Sequence, residues 1–122
     1  MNAGLVGAIG GLVAVAAGAF GAHGLEGRID GKALETWDLA ARYQMVHALA
    51  LLIVAGRERA APSPSLRVAA WAFVAGIAIF SGSLYLLAVT GVTALGAITP
   101  LGGAALLVGW GALAVAYRRR GG

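Results

Sequence analysis

Four side chains able to exchange protons or hydrogen bonds, Arg42, Tyr43, Gln44 and His47, lie inside one otherwise apolar stretch. That stretch is Thr36 to Gly56, TWDLAARYQMVHALALLIVAG. An imidazole can shuttle a proton, ligate a metal, or bond through both ring nitrogens at once. An ionisable group within hydrocarbon marks by default a functional site with a partner to be found. Tyr43 stands one helical turn before His47 on the same face, and Arg42 and Gln44 flank that face on opposite sides. Ser81 and Tyr85 of the segment FSGSLY share a face of another apolar run, from which Ser83 points away, and His23 closes the first run. This set suits a proton or ion path, an interhelical clasp, or a pocket for a hydrophobic ligand. A bis-imidazole haem or metal centre of His23 and His47 ranks lowest, because few ligand-type side chains accompany them.

Other chemistries are absent from the sequence. Zero Cys removes thiol catalysis and Cys-ligated zinc or iron–sulfur centres. No Ser–His–Asp set, no paired carboxylates within the apolar runs and no strand-borne phosphate loop are present, so no catalytic residue and no enzymatic activity are expected. The net charge of +4 comes from arginines in short clusters beside apolar runs. It does not form a basic stripe with interleaved aromatics, which argues against nucleic acid.

The elements that carry these residues follow from composition. Of 122 residues, 60% are hydrophobic and 11% charged, with a mean hydropathy of +0.85. Soluble chains carry about 25% charged residues, so the expected solvent is lipid. A spanning helix needs about 20 apolar residues. Four such helices are predicted, over about 3–23, 33–56, 67–89 and 100–117. The first lacks the basic start of a secretory signal. Its Gly7/Gly11 pair and its Gly10, Ala14, Gly18, Ala22 stripe predict close helix packing. Between the first two helices lies the one hydrophilic stretch, where Asp38 and Arg42, four apart, can pair. Pro62-Ser63-Pro64-Ser65 punctuates the second connection. Thr99-Pro100 reads as an N-cap followed by the first helical position.

Four spans place both termini on one side with Arg57, Arg59, Arg67, Arg118, Arg119 and Arg120. The other side has Arg28 and Lys32 among four carboxylates. The positive-inside rule then puts both termini in the cytoplasm. At ~1.5 Å per residue, His47 lies ~15 Å from Arg57, near the midplane of a ~30 Å core. Measured from Arg67, Ser81 lies ~21 Å and Tyr85 ~27 Å deep, so both are candidate partners for His47. At the depth of His47 the first helix offers Val13 and Ala14 and the fourth offers Gly109 with neighbouring Trp110. The small residues there leave room for an imidazole, a water or a ligand. Trp37, Trp71 and Tyr117 read as interfacial anchors, and Trp110, too deep for that, needs a partner for its N–H or a packing role. Ser81, Ser83 and Thr99 are expected to bond helix carbonyls or cap a terminus. For Arg42 the choice is between snorkelling to the surface with Asp38 and facing an anionic ligand or lipid headgroup.

The segments GAFGAH (residues 18–23), Tyr43-Gln44 with His47, FSGSLY (80–85), Thr99-Pro100 with Gly102-Gly103, and Gly109-Trp110 carry a resemblance. Nearly the whole chain resembles the YgdD-type small inner-membrane proteins, the domain of unknown function 423, with the motifs in the same order and no departure at those positions. The resemblance implies a four-span integral membrane protein of the bacterial inner membrane, and it assigns no activity or cofactor. The reading is thus an all-α four-helix transmembrane bundle that binds a lipid, quinone or small hydrophobic molecule, or that serves as an accessory subunit of a larger complex. The alternative is a small homo-oligomeric transporter or channel using His47 and Tyr43.

Overall fold

The computed structural model describes residues 1–119. Arg120, counted above in the terminal arginine cluster, lies outside the described residues. The architecture is all-α. Helices α1 (Ala3–Leu25), α2 (Gly31–Ala60) and α3 (Pro64–Thr90) are followed by a 3-10 turn, Thr93–Ala97, that leads into α4 (Thr99–Arg119). All four are long and apolar enough to cross a membrane.

Three helix starts are capped by the side chains the sequence supplies. Asn2 accepts from the Leu5 N–H at 3.0 Å, Asp30 from Ala33 at 2.7 Å and Ser63 from Leu66 at 3.3 Å. Each satisfies one of the orphan donors of a first turn. α3 ends at Gly91, whose φ of 71° is the left-handed conformation that glycine adopts without strain. Thr99 is not a cap. The 3-10 turn delivers the chain already coiled, with Ile98 at φ −84° and ψ −33°, so the extended backbone that a cap requires is lacking. The Thr99 hydroxyl meets that of Ser83 at 2.6 Å and bonds the Leu95 carbonyl at 3.3 Å.

The helices pack as antiparallel neighbours in chain order. α1 packs chiefly on α2, α2 on α3, and α3 on α4. The contact stripe of α1 is Gly7, Gly10, Ala14, Ala17 and Gly21. Gly7 of the expected pair and Gly10 and Ala14 of the expected stripe are thus at the contact, but Gly11 and Gly18 face open space and Ala22 is exposed. Steps of four drift ~40° each around a helix, whereas alternating steps of three and four stay on one face of a gently supercoiled pair. α2 answers with the same alternation, Trp37, Ala41, Gln44, Ala48 and Leu51. An adjacent stripe of α2, Ala40, Tyr43, His47, Ala50 and Val54, faces α3 and α4. α4 buries Gly102, Leu106, Gly109, Leu113 and Ala116 in the same rhythm.

In α3 a π-helical turn, Ile77–Ser81, adds one residue to the register. Phe80 can then pack on Tyr43 and on α4 while its neighbour Ser81, 1% exposed, faces α2. The half of the bundle nearer the termini is an apolar core of Leu51, Val54, Leu66, Phe73 and Leu113 with small residues between them. Leu12, Leu101 and Leu107 are 66–74% exposed, an outer surface suited to acyl chains.

The close approach of α3 and α4 depends on glycine. A Cβ on Gly102 would overlap the Phe80 backbone, and one on Gly76 would overlap Leu106, whereas Gly111 meets open space. We expect Gly102→Ala to lower stability in detergent by about 1–3 kcal/mol, the usual cost of overpacking. Gly111→Ala should be near neutral. Thermal or denaturant unfolding of both variants checks this, and equal stabilities would contradict the packing described.

Candidate functional site

The polar candidates sort into two networks and two outliers. In the first network, Gln44 is 6% exposed and its side-chain amide spans three helices. Its Nε2 donates to the Gly10 carbonyl of α1 at 2.9 Å, and its Oε1 accepts from the Tyr85 hydroxyl of α3 at 2.8 Å. Tyr85 also stacks edge-on against Trp37, with centroids 4.6 Å apart. Trp37 donates its indole N–H to the Ala17 carbonyl at 2.7 Å. Trp37 is therefore a clasp between α1 and α2, its ring lying over Gly21 where no side chain displaces it.

His47 forms the second network. It is 5% exposed and turned into the bundle. Its Nδ1 lies 2.6 Å from the Tyr43 carbonyl, and the Trp110 indole N–H of α4 reaches its Nε2 at 3.0 Å. A carbonyl only accepts and an indole N–H only donates, so this geometry requires the neutral ring with its proton on Nδ1. Both nitrogens are occupied. The partner across the interface is Trp110, not Ser81 or Tyr85, which lie on the stripe of α3 facing Ala40 and Gln44. Ser81 donates to the Ala40 carbonyl at 2.8 Å. Nor does α1 offer a pocket at this depth, since Val13 is 47% exposed and α1 borders the Gln44 stripe instead. The space beside Gly109 is filled by the Phe73 ring.

The outliers are Arg42 and His23. Arg42, its side chain 73% exposed, bonds Asp38 through Nε at 2.9 Å and Nη2 at 2.6 Å, and faces away from both networks. His23 is exposed on the π-helical turn Gly21–Leu25 and joins neither network. Among the described residues no group of three or more His, Cys, Asp or Glu is placed to hold a metal.

The His47–Trp110 pair closes one end of an apolar groove of about 780 Å³ between α2 and α4. Tyr43, Val46 and His47 form one wall, Pro100, Gly103, Ala104, Leu107 and Trp110 the other, and Phe80 and Leu106 the floor. Along α4 it runs from the helix start at Pro100 to Trp110, ~15 Å at the helical rise. Tyr43 stacks on Phe80 with centroids 4.6 Å apart, and its hydroxyl has no hydrogen-bond partner among the described residues. Tyr43 and Trp110 are each 41% exposed and Leu107 74%, so the groove is open on the flank of the bundle. The sequence places Tyr43, His47 and Trp110 here, but not Val46, Ala104 and Leu107, which complete the two walls. The signal was there, since Gly103, Leu107 and Trp110 repeat the three–four alternation one position after the buried stripe of α4.

Fold and surface together define a four-span integral membrane protein. The match to known proteins is specific. Residues 17–103 match the family described as protein of unknown function, DUF423, and the chain belongs to that family. It is 50% identical over 113 residues to the UPF0382 membrane protein YwdK of Bacillus subtilis, covering 92% of each chain. It is 46% identical over 112 residues to a UPF0382 membrane protein of Staphylococcus epidermidis, covering 92% of this chain and 91% of that one. No solved structure matches the chain.

Replacing Trp110 by Phe removes the donor to Nε2 while keeping an aromatic wall. A polar contact of this kind in a bundle is worth about 1 kcal/mol. We expect a loss of that size, and a coupling of similar size in a double-mutant cycle with His47→Leu. ¹⁵N NMR of the labelled native protein should show the neutral, Nδ1-protonated imidazole. A charged ring or the opposite tautomer would contradict the assignment.

Proposed function

We propose that this protein is a non-enzymatic, multi-pass protein of the bacterial inner membrane that holds a lipid or comparably hydrophobic molecule in the α2–α4 groove. Both termini lie in the cytoplasm, by the arginine asymmetry of the loops. The observation that carries the proposal is the groove itself, an aromatic-walled concavity whose size falls within the ~300–1,000 Å³ usual for ligand pockets. Its mouth opens where acyl chains surround the protein. Its one uncommitted polar side-chain group, the Tyr43 hydroxyl, can orient a carbonyl or ester oxygen.

The bonding of His47 favours this reading over a proton or ion path. A relay group must release one proton and accept another, and here both nitrogens are engaged by partners that cannot exchange protons. Gln44 is committed at both ends as well. A haem or metal would have to displace Trp110 to reach His47 Nε2. The role of accessory subunit is compatible with the groove, whose occupant would then bridge this chain and a larger complex.

Filling the groove tests the proposal. A Cβ on Gly103 meets only the Phe80 ring, at 3.8 Å, so Gly103→Leu projects into the groove without backbone conflict. Photolabelling by a photoactivatable fatty acid should map to Tyr43, Val46 or Leu107 in the native protein. It should fall at least severalfold in Gly103→Leu and persist in Gly111→Leu, on the outer face of α4. Labelling spread evenly over the bundle, or unchanged in Gly103→Leu, would remove the groove from the function.

A further inference from the structure

At the opposite end of the bundle from the groove mouth, α1, α2 and α3 enclose a separate pocket of about 470 Å³. Arg59 of the last turn of α2 and Arg67 of the first turns of α3 line it together with Glu58, Gly4, Ala55, Ala70 and Trp71. The only ion pair among the described residues is Arg42–Asp38, so Glu58 holds neither guanidinium. Arg57 differs. It lies over the Tyr117 ring at 3.9 Å and reaches the Ala116 carbonyl, and so is occupied within the fold.

Arg67 is also poorly placed for its own helix. A cation near a helix start opposes the macrodipole, and α3 has no acidic residue in its first turn to offset it. The start of α1 adds the positive end of a helix to the pocket. Two unpaired guanidiniums and the positive end of α1 against one carboxylate leave a site short of negative charge. Its level is that of the bilayer interface. Trp71, 57% exposed, sits one turn along α3 from Arg67, where an amphipathic ring marks the headgroup region. The small-residue walls lead down from the arginines to the acyl surface.

We propose that this pocket binds the phosphate of an anionic phospholipid from the leaflet on the side of the termini. Arg59 and Arg67 grip the phosphodiester oxygens, with one acyl chain lying along Ala55 and Ala70. The site is independent of the α2–α4 groove. Glu58 favours a monoanionic diester over more highly charged phosphate monoesters, because its own charge remains in the pocket.

The test uses the full chain purified in a neutral detergent, where insertion orientation plays no part. Native mass spectrometry compares retention of phosphatidylglycerol with phosphatidylcholine of the same acyl chains. The native protein should retain phosphatidylglycerol preferentially. The Arg59→Gln/Arg67→Gln variant should lose that preference by roughly fivefold per arginine. The Arg118→Gln/Arg119→Gln variant, which removes the same charge from the same end, should keep it. Circular dichroism and elution volume confirm that all three are folded. An equal loss in both double variants would reduce the effect to general surface charge and overturn the proposal. So would the absence of any preference in the native protein, or full displacement of the lipid by inorganic phosphate, which would make the ligand a soluble anion.

Discussion

Within hydrocarbon a polar group has no water to fall back on, so it must find its partner inside the protein. In this bundle that requirement converges on α2. Trp37, Gln44 and the Ala40 and Tyr43 carbonyls face two neighbouring directions at once. They bond to Ala17 and Gly10 on one side, to Ser81 and Tyr85 on the other, and to α4 through His47 and Trp110. Among the described residues, Ser83–Thr99 is the only side-chain hydrogen bond between helices that does not end on α2. Among the described residues no buried side-chain nitrogen or oxygen is left without a partner. The hydrophobic effect does not favour one helix pairing over another in lipid. These bonds therefore specify which neighbours meet, and the small-residue stripes let them meet closely.

Much of this was legible because membrane helices are long, apolar and bounded by charge. The four helices, the Asp38–Arg42 pair and the burial of His47 all follow from spacing and hydropathy. What was illegible was which face meets which neighbour. Depth along a helix can be counted from its end, but azimuth depends on supercoil and on local register. The π turn at Ile77–Ser81 adds about 100° of rotation that no residue type announces. This is why Ser81 and Tyr85, at plausible depths for His47, turned out to serve Ala40 and Gln44. Trp110 was recognised as needing an N–H partner, yet the pairing depended on the packing of α4 against α3. Thr99 illustrates a second limit. Its residue type suits a cap, but capping is a property of backbone angles, and the preceding 3-10 turn had already fixed those.

The contrast between Gln44 and Tyr43 explains why the groove, and not the polar networks, is the better candidate for function. Gln44 has spent its amide on two other helices, and moving it would unpair two groups in low dielectric. His47 is in the same position. Tyr43 stands at the edge of the networks, giving its carbonyl to His47 and its ring to Phe80 while its hydroxyl bonds to nothing among the described residues. A ligand there meets aromatic faces, aliphatic side chains and one hydroxyl. Such a surface recognises bulk and a single oxygen, which suits a molecule already dissolved in the bilayer.

The division of the bundle into two halves has the same physical origin. Polar side chains that bond between helices gather in the half away from the termini, where the two tryptophan clasps and the Gln44 bridge hold the helices at fixed separations. The other half, around Leu51, Val54, Phe73 and Leu113, closes mainly by shape, with Arg57 reaching the Ala116 carbonyl at its end. A concavity persists only where something prevents neighbouring side chains from collapsing into it. The Trp110–His47 bond and the Tyr43–Phe80 stack do this for the α2–α4 groove, because both tie its wall to rings that cannot rotate inward without unpairing. In the apolar half no such strut stands within the core, and the space between Leu51, Val54, Phe73 and Leu113 is filled. The concavity of that half lies beside this core, at the helix ends where Arg59 and Arg67 line it. The hydrogen bonds that secure the fold are thus also the reason that it has an open groove.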